Sequence, residues 1–249
     1  YVVDFETKTT MDKLTYRMEG VSYLTDVKTD AVINLLMTFT DKSSKFELKE
    51  NKIKLNKVNL AVSGYYEMFD GYDDMDLKLD ASKTSFKDFL SLIPTFYHSG
   101  YESMVSSGSL AVNGFVKGKM DAVNMPGWDF GMVLGNGSIK YPGLSQITGV
   151  QVDAGSAFPG GADLDLMTLD VNQFHANLGE NTIDASLLMK KMMSDPYIQS
   201  SINAHVDLST IKDFVPMTEG EEYSGILDAD VDVQGRMSDL DKEDYEHLM

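Results

Sequence analysis

From Leu227 to Gln234 the chain alternates without a break. Leu227, Ala229, Val231 and Val233 fall on one side, and Asp228, Asp230, Asp232 and Gln234 on the other. Successive side chains of an extended strand point to opposite faces, so this stretch buries its apolar half as a β-strand with one wet, acidic face. The same period recurs at 76–80 and 109–113. It also runs through Ile53, Leu55, Val58, Leu60 and Val62, which read as one strand ending at Gly64. Asn136-Gly137, Pro159-Gly160-Gly161 and Asn177-Leu178-Gly179 read as turns. Short strands separated by such turns predict many antiparallel hairpins. The expected fold is mainly β: an elongated, curved antiparallel sheet with a few short α-helices.

Helix signals are few. Over 84–93, Phe86, Phe89, Leu90 and Ile93 fall on one helical face, with Thr84 as the capping residue and Pro94 as the stop. Residues 95–106 could form a second short helix. Residues 209–215, followed by Pro216, read as a shorter copy of the first helix. Residues 186–193 and the acidic tail fit either state.

That copy is part of a larger repeat. Thr84, Lys87, Asp88, Phe89 and Leu90 match Ser209, Lys212, Asp213, Phe214 and Val215 in spacing. Each set follows an alternating strand that ends in Asp, at Asp80 and at Asp207. Each precedes a strand between glycines, Gly108 to Gly118 and Gly225 to Gly235. We read 1–249 as a single β-rich segment of a longer protein, with repeat units at about 75–118 and 203–238. Repetition favours an architecture that grows by adding strands to one sheet.

Charge narrows the function classes. With 21 basic against 39 acidic residues, the net charge is −18. A nucleic-acid binder would carry a basic footprint, and an anionic membrane surface would repel this chain. Residues 1–125 carry −3 and residues 126–249 carry −15. Without cysteine there is no disulfide, thiolate metal site or cysteine nucleophile. The chain opens on Tyr1-Val2-Val3 with no signal-like run, so any targeting sequence or membrane anchor is expected outside it.

Candidate chemistry reduces to structural readings. His98, His175, His205 and His247 are widely spaced, and strand or surface positions account for them better than a metal centre. Asp228-x-Asp230-x-Asp232 resembles the start of a calcium loop, yet Val233 and Asp239 stand where such a loop needs Gly and Glu. Ser209 and Lys212 fit an S-x-x-K spacing, but Thr84 and Lys87 repeat it and no partner motif follows. We therefore expect no enzyme, no catalytic residue, no metal and no cofactor.

One resemblance is more specific. Between about 75 and 247 the order is an alternating strand, then Lys87-Asp-Phe-Leu-Ser-Leu-Ile-Pro94, then Gly108-x-Leu-x-Val-x-Gly114-x-Val-Lys-Gly118. Met125-Pro126, Gly135-Asn-Gly-Ser-Ile-Lys-Tyr-Pro142, Asn177-Leu-Gly179, Asp195-Pro196, Val206-Asp-Leu-Ser209 and Gly225 to Gly235 follow. This order resembles the C-terminal region of AsmA-like proteins of the Gram-negative envelope, in a Bacteroidetes-type form, with TamB-type and bridge-like lipid-transfer relatives. It covers roughly 70% of the chain, and residues 1–60 match only as generic strands. The resemblance implies a periplasmic protein anchored in the inner membrane, with a taco-like sheet whose apolar trough takes acyl chains. It implies a role in outer-membrane assembly or phospholipid movement between membranes. Phospholipid or another acyl-chain lipid would be the ligand, and outer-membrane assembly proteins the partners. It brings no catalytic residues.

From the two repeated strands, Val112, Val116, Leu227, Val231 and Val233 are the expected groove-lining positions. Phe89 and Phe214, on the two Lys-Asp-Phe units, are the expected plugs over the groove. The alternative is a structural segment with a filled core, whose open edge pairs with flanking repeats or an outer-membrane partner.

Overall fold

The computed structural model describes residues 1–18, 21–81, 84–90, 92, 104–214 and 222–241. Thirteen strands form one antiparallel sheet: β1 (Val2–Met18), β2 (Val21–Phe39), β3 (Ser43–Leu55), β4 (Val58–Phe69), β5 (Tyr72–Asp80), β6 (Thr84–Ser85), β7 (Val105–Met120), β8 (Gly127–Lys140), β9 (Ile147–Phe158), β10 (Thr168–Leu178), β11 (Asn181–Lys190), β12 (Tyr197–Asp207) and β13 (Ile226–Arg236). The helices α1 (Phe86–Leu90) and α2 (Met237–Asp241) have five residues each, and single 3-10 turns form at Leu164–Leu166 and Ile211–Asp213. Each strand pairs with its neighbour in sequence, except that β5 pairs with β7 while the two-residue β6 lies against β7. β1 and β13 are the open edges, so the sheet does not close into a barrel.

Several expectations change on contact with the sheet. The run from Ile53 to Val62 is a hairpin, not one strand: β3 ends at Leu55 and β4 starts at Val58. Asn56 makes the reversal at a φ of 53°, a left-handed conformation that Asn tolerates. It is tied to β2, where Lys28 N–H donates to Asn56 Oδ1 and Asn56 N–H donates to the Lys28 carbonyl. Asn136-Gly137 is not a turn. It sits inside β8 as a bulge, and the pairing with β9 steps from Leu134 to Gly137. Asn136 takes a φ of 52°, while a Cβ on Gly137 would lie 2.9 Å from Val150, so strand β9 passes too close for a side chain there. Residues 186–190 are strand.

The first helix is shorter than its periodicity suggests. Thr84 and Ser85 still pair with β7. Ser85, not Thr84, caps the helix, its Oγ accepting from Asp88 N–H at 3.1 Å, while Thr84 Oγ1 donates to the Ala81 carbonyl. Ile93 and most of the possible second helix at 95–106 lie outside the described residues, and Val105 and Ser106 already belong to β7. The second unit forms a 3-10 turn in place of an α-helix. Ser209 caps nothing there; it folds back on Asp207, with Oγ donating to Oδ1 at 2.7 Å.

The core is one-sided. Phe86, Leu90, Met104, Leu110, Leu134, Val150, Ala176, Leu178 and Phe214 form a single buried cluster. Phe86, Leu90 and Phe214 come from the two short units, and the strand members come from one end of β7 to β10. Both Lys-Asp-Phe units therefore pack on the same end of the same face.

Candidate functional site

Register determines which side chains share a face. One cross-strand row runs Phe5, Leu35, Leu48, Gly64, Leu77, Val116, Trp128 and Phe158, from β1 to β9. A second runs Leu110, Leu134, Val152, Phe174, Ala185, Ile202 and Val231, and a third Val112, Met132, Ala154, Val171, Leu187, Ser200 and Val233, both from β7 to β13. Leu110, Val112 and Val116 are separated by even steps along β7, so the three rows lie on one face. That face is apolar from one open edge to the other. At about 4.8 Å per strand the path of twelve strands spans roughly 50 Å.

The opposite face carries the charge. His175 pairs with Asp184 across β10 and β11, and His205 with Asp228 across β12 and β13, with ring-nitrogen to carboxylate distances of 2.7 and 2.5 Å. Asp230 and Asp232 continue along β13 on that same face. Among the described residues no group of three or more His, Asp or Glu side chains could hold a metal ion. His98 and His247 lie outside the described residues.

All five expected groove residues fall on the apolar face, in three environments. Val112 packs against the buried cluster. Val116 is half-buried between Leu77 and Trp128 in its row. Leu227, Val231 and Val233 are on β13, an edge strand of the described sheet, and stay 47%, 43% and 39% exposed. Of the two expected plugs, Phe214 is buried, whereas Phe89 is partly buried at the rim of the cluster. Phe86 and Leu90 are the side chains that α1 buries most deeply. Their i, i+4 spacing is the signal that could have singled them out.

Two glycines sit where neighbouring strands come too close for a side chain. A Cβ on Gly114 would lie 2.2 Å from Phe130 Cδ1, so the Phe130 ring lies across a strand with no side chain. Gly64 has a φ of 117°, and a Cβ there would collide with the Asp76 carbonyl oxygen at 1.8 Å. Both positions require glycine for close approach of neighbouring strands.

Turn carboxylates hold the strand ends. Asp165 accepts from the Met193 and Ser194 N–H groups, and hydrogen bonding, first of all with Ser194, lowers its pKa. Asp207 is lowered mainly by Ser209, and Asp121 mainly by Asn124. On the polar face Lys117 Nζ lies 2.8 Å from Asp76, and that bond raises the lysine pKa. These groups brace turns and strands. No family model, curated protein or solved structure matches this chain.

Proposed function

We propose that the chain is a non-catalytic segment of a cell-envelope protein that holds or conducts lipid acyl chains along its apolar face. The observation that carries this reading is the continuity of that face across the sheet, covered among the described residues at one end. The 3-10 turn with Phe214 and helix α1 pack over the Leu110, Leu134 and Val150 end. Ile202, Leu227, Val231 and Val233 stay exposed on the same face. Contiguous apolar surface of this extent is costly in water and marks a binding surface. An acyl chain laid along it is stabilised by about 0.8 kcal/mol per buried methylene. The charged opposite face keeps the sheet in water.

The resemblance to AsmA-like proteins supports the same reading. On that reading the ligand is phospholipid or another acyl-chain lipid, and the segment works in the periplasm beneath an inner-membrane anchor elsewhere in the protein. Its role is in outer-membrane assembly or intermembrane phospholipid transport.

A second reading has its own support. The nine-residue cluster fills one end of the face, and both edge strands are open. A structural segment that pairs with flanking strands or an outer-membrane partner would look the same there. Native mass spectrometry with lipid extraction of the same sample separates the two. Bound phospholipid at near-stoichiometric level is expected for the first reading. A lipid-free sample that also rebinds no phospholipid sinks it and leaves the structural one.

A further inference from the structure

One recess lies across the first five strands, with most of its lining on the polar face. It occupies about 770 Å3 across β1 to β5, within the roughly 300–1,000 Å3 range of small-molecule sites. Register places its walls. Lys8, Val32, Lys52, Ala61 and Asp80 form one cross-strand row, and Thr10, Asp30, Lys54 and Asn59 form the next. The two rows are two residues apart along each strand, so they share one face. Ala31, Ile53 and Leu60 alternate with them and belong to the apolar side.

Three lysines thus converge on one recess in a protein of net charge −18. Among the described residues none of Lys8, Lys52 and Lys54 forms an ion pair, although Lys45, Lys49 and Lys117 nearby each do. Two carboxylates also line the recess. Asp30 is engaged by Thr10, whose Oγ1 donates to Oδ1 at 2.9 Å. Asp80 closes the far end of its row at β5. The floor between the lysines is Val32 and Ala61, with the lysine methylenes beside them.

We propose that this recess binds a small anionic amphiphile. Its phosphate or carboxylate is held by Lys8, Lys52 and Lys54, and its apolar part lies on Val32 and Ala61. Lysine suits this as a set of mobile point charges that meet an acidic group from several sides. The recess is much larger than a bare phosphate needs, so part of the ligand must be uncharged body. The site is on the opposite face from the acyl-chain surface proposed above and stands or falls separately from it.

The test uses the whole chain and three probes in isothermal titration below micellar concentration: dodecyl phosphate, dodecyltrimethylammonium and inorganic phosphate. Dodecyl phosphate is expected to bind saturably and to weaken by about tenfold or more in a Lys52→Gln/Lys54→Gln variant. Lys8→Gln is expected to weaken it in the same direction, and Lys140→Gln, on distant β8, to leave it unchanged. The lysines at 52 and 54 are exposed, so the variant is expected to melt with the parent protein. Three results overturn the proposal: equal binding of the cationic probe, binding indifferent to the lysine variants, or phosphate alone binding as tightly as dodecyl phosphate. Indifference to the lysines would place the amphiphile on the apolar face instead.

Discussion

The Phe214 ring sits against the Gly179 backbone, so closely that a Cβ on Gly179 would lie 3.0 Å from Phe214 Cζ. Gly179 also holds a φ of 67° in the two-residue turn between β10 and β11. Gly179→Ala is therefore expected to destabilise by about 1–3 kcal/mol from backbone strain, with the contact adding to it. Gly143, with a φ of 78° and open space around it, meets the strain alone. Thermal melts should show the larger loss at Gly179, at about 2–4 °C per kcal/mol. Equal losses would mean that Phe214 moves aside freely.

Phe214→Ala removes a buried ring from the cluster and is expected to cost about 3–5 kcal/mol. It also uncovers Leu178 and Ala176, so binding of an apolar fluorescent dye should rise while the far-ultraviolet strand signal persists. Phe89→Ala, at the rim, should cost less. Denaturant midpoints for the two variants decide the order.

Asn51 is fully buried at the bulge of β3, and its Oδ1 accepts from Asn34 N–H at 2.5 Å. Its Nδ2 is buried without a partner. Asn51→Leu leaves the Asn34 amide unpaired and is expected to cost about 1–3 kcal/mol despite the added apolar volume. A gain in urea midpoint for this variant would show that the orphaned Nδ2 outweighs the Asn34 bond.

Acid should loosen the turns first. Hydrogen bonds lower the pKa of Asp121, Asp165 and Asp207 below the usual carboxylate value. A depressed folded pKa adds stability that is complete above the unfolded value, about 4. That stability is lost as pH falls through the folded value. Contact with solvent keeps each effect small. Ser209→Ala should flatten the fall below about pH 4 by removing the leading cause at Asp207, as read from melts in acid. An unchanged slope would assign the fall to other carboxylates.

How far the sequence revealed all this depends on what each feature rests upon. The faces of β7 and β13 were legible, because a period of two is written residue by residue at Val112 and Val116 and at Leu227 to Val233. The break at Asn56 was not, since Leu55 and Val58 keep an apolar rhythm through the reversal. Asn136-Gly137 carries turn chemistry, yet β9 pairs on either side of it and turns the signal into a bulge. The polar-face recess was invisible for a simpler reason. Lys8 and Lys52 meet only because each pairs with Val32, on opposite sides of β2. No local pattern in one chain segment encodes such a meeting.

Strand order has one more consequence. Apart from the small step around β6, each strand leans on its neighbours in the chain. Such a ladder can zip up from any hairpin, and its free energy is close to a sum of adjacent terms. Damage in one rung is then felt mainly by the rungs beside it. With no closing seam to satisfy, evolution can lengthen or shorten such a protein one hairpin at a time, without redesigning the rest.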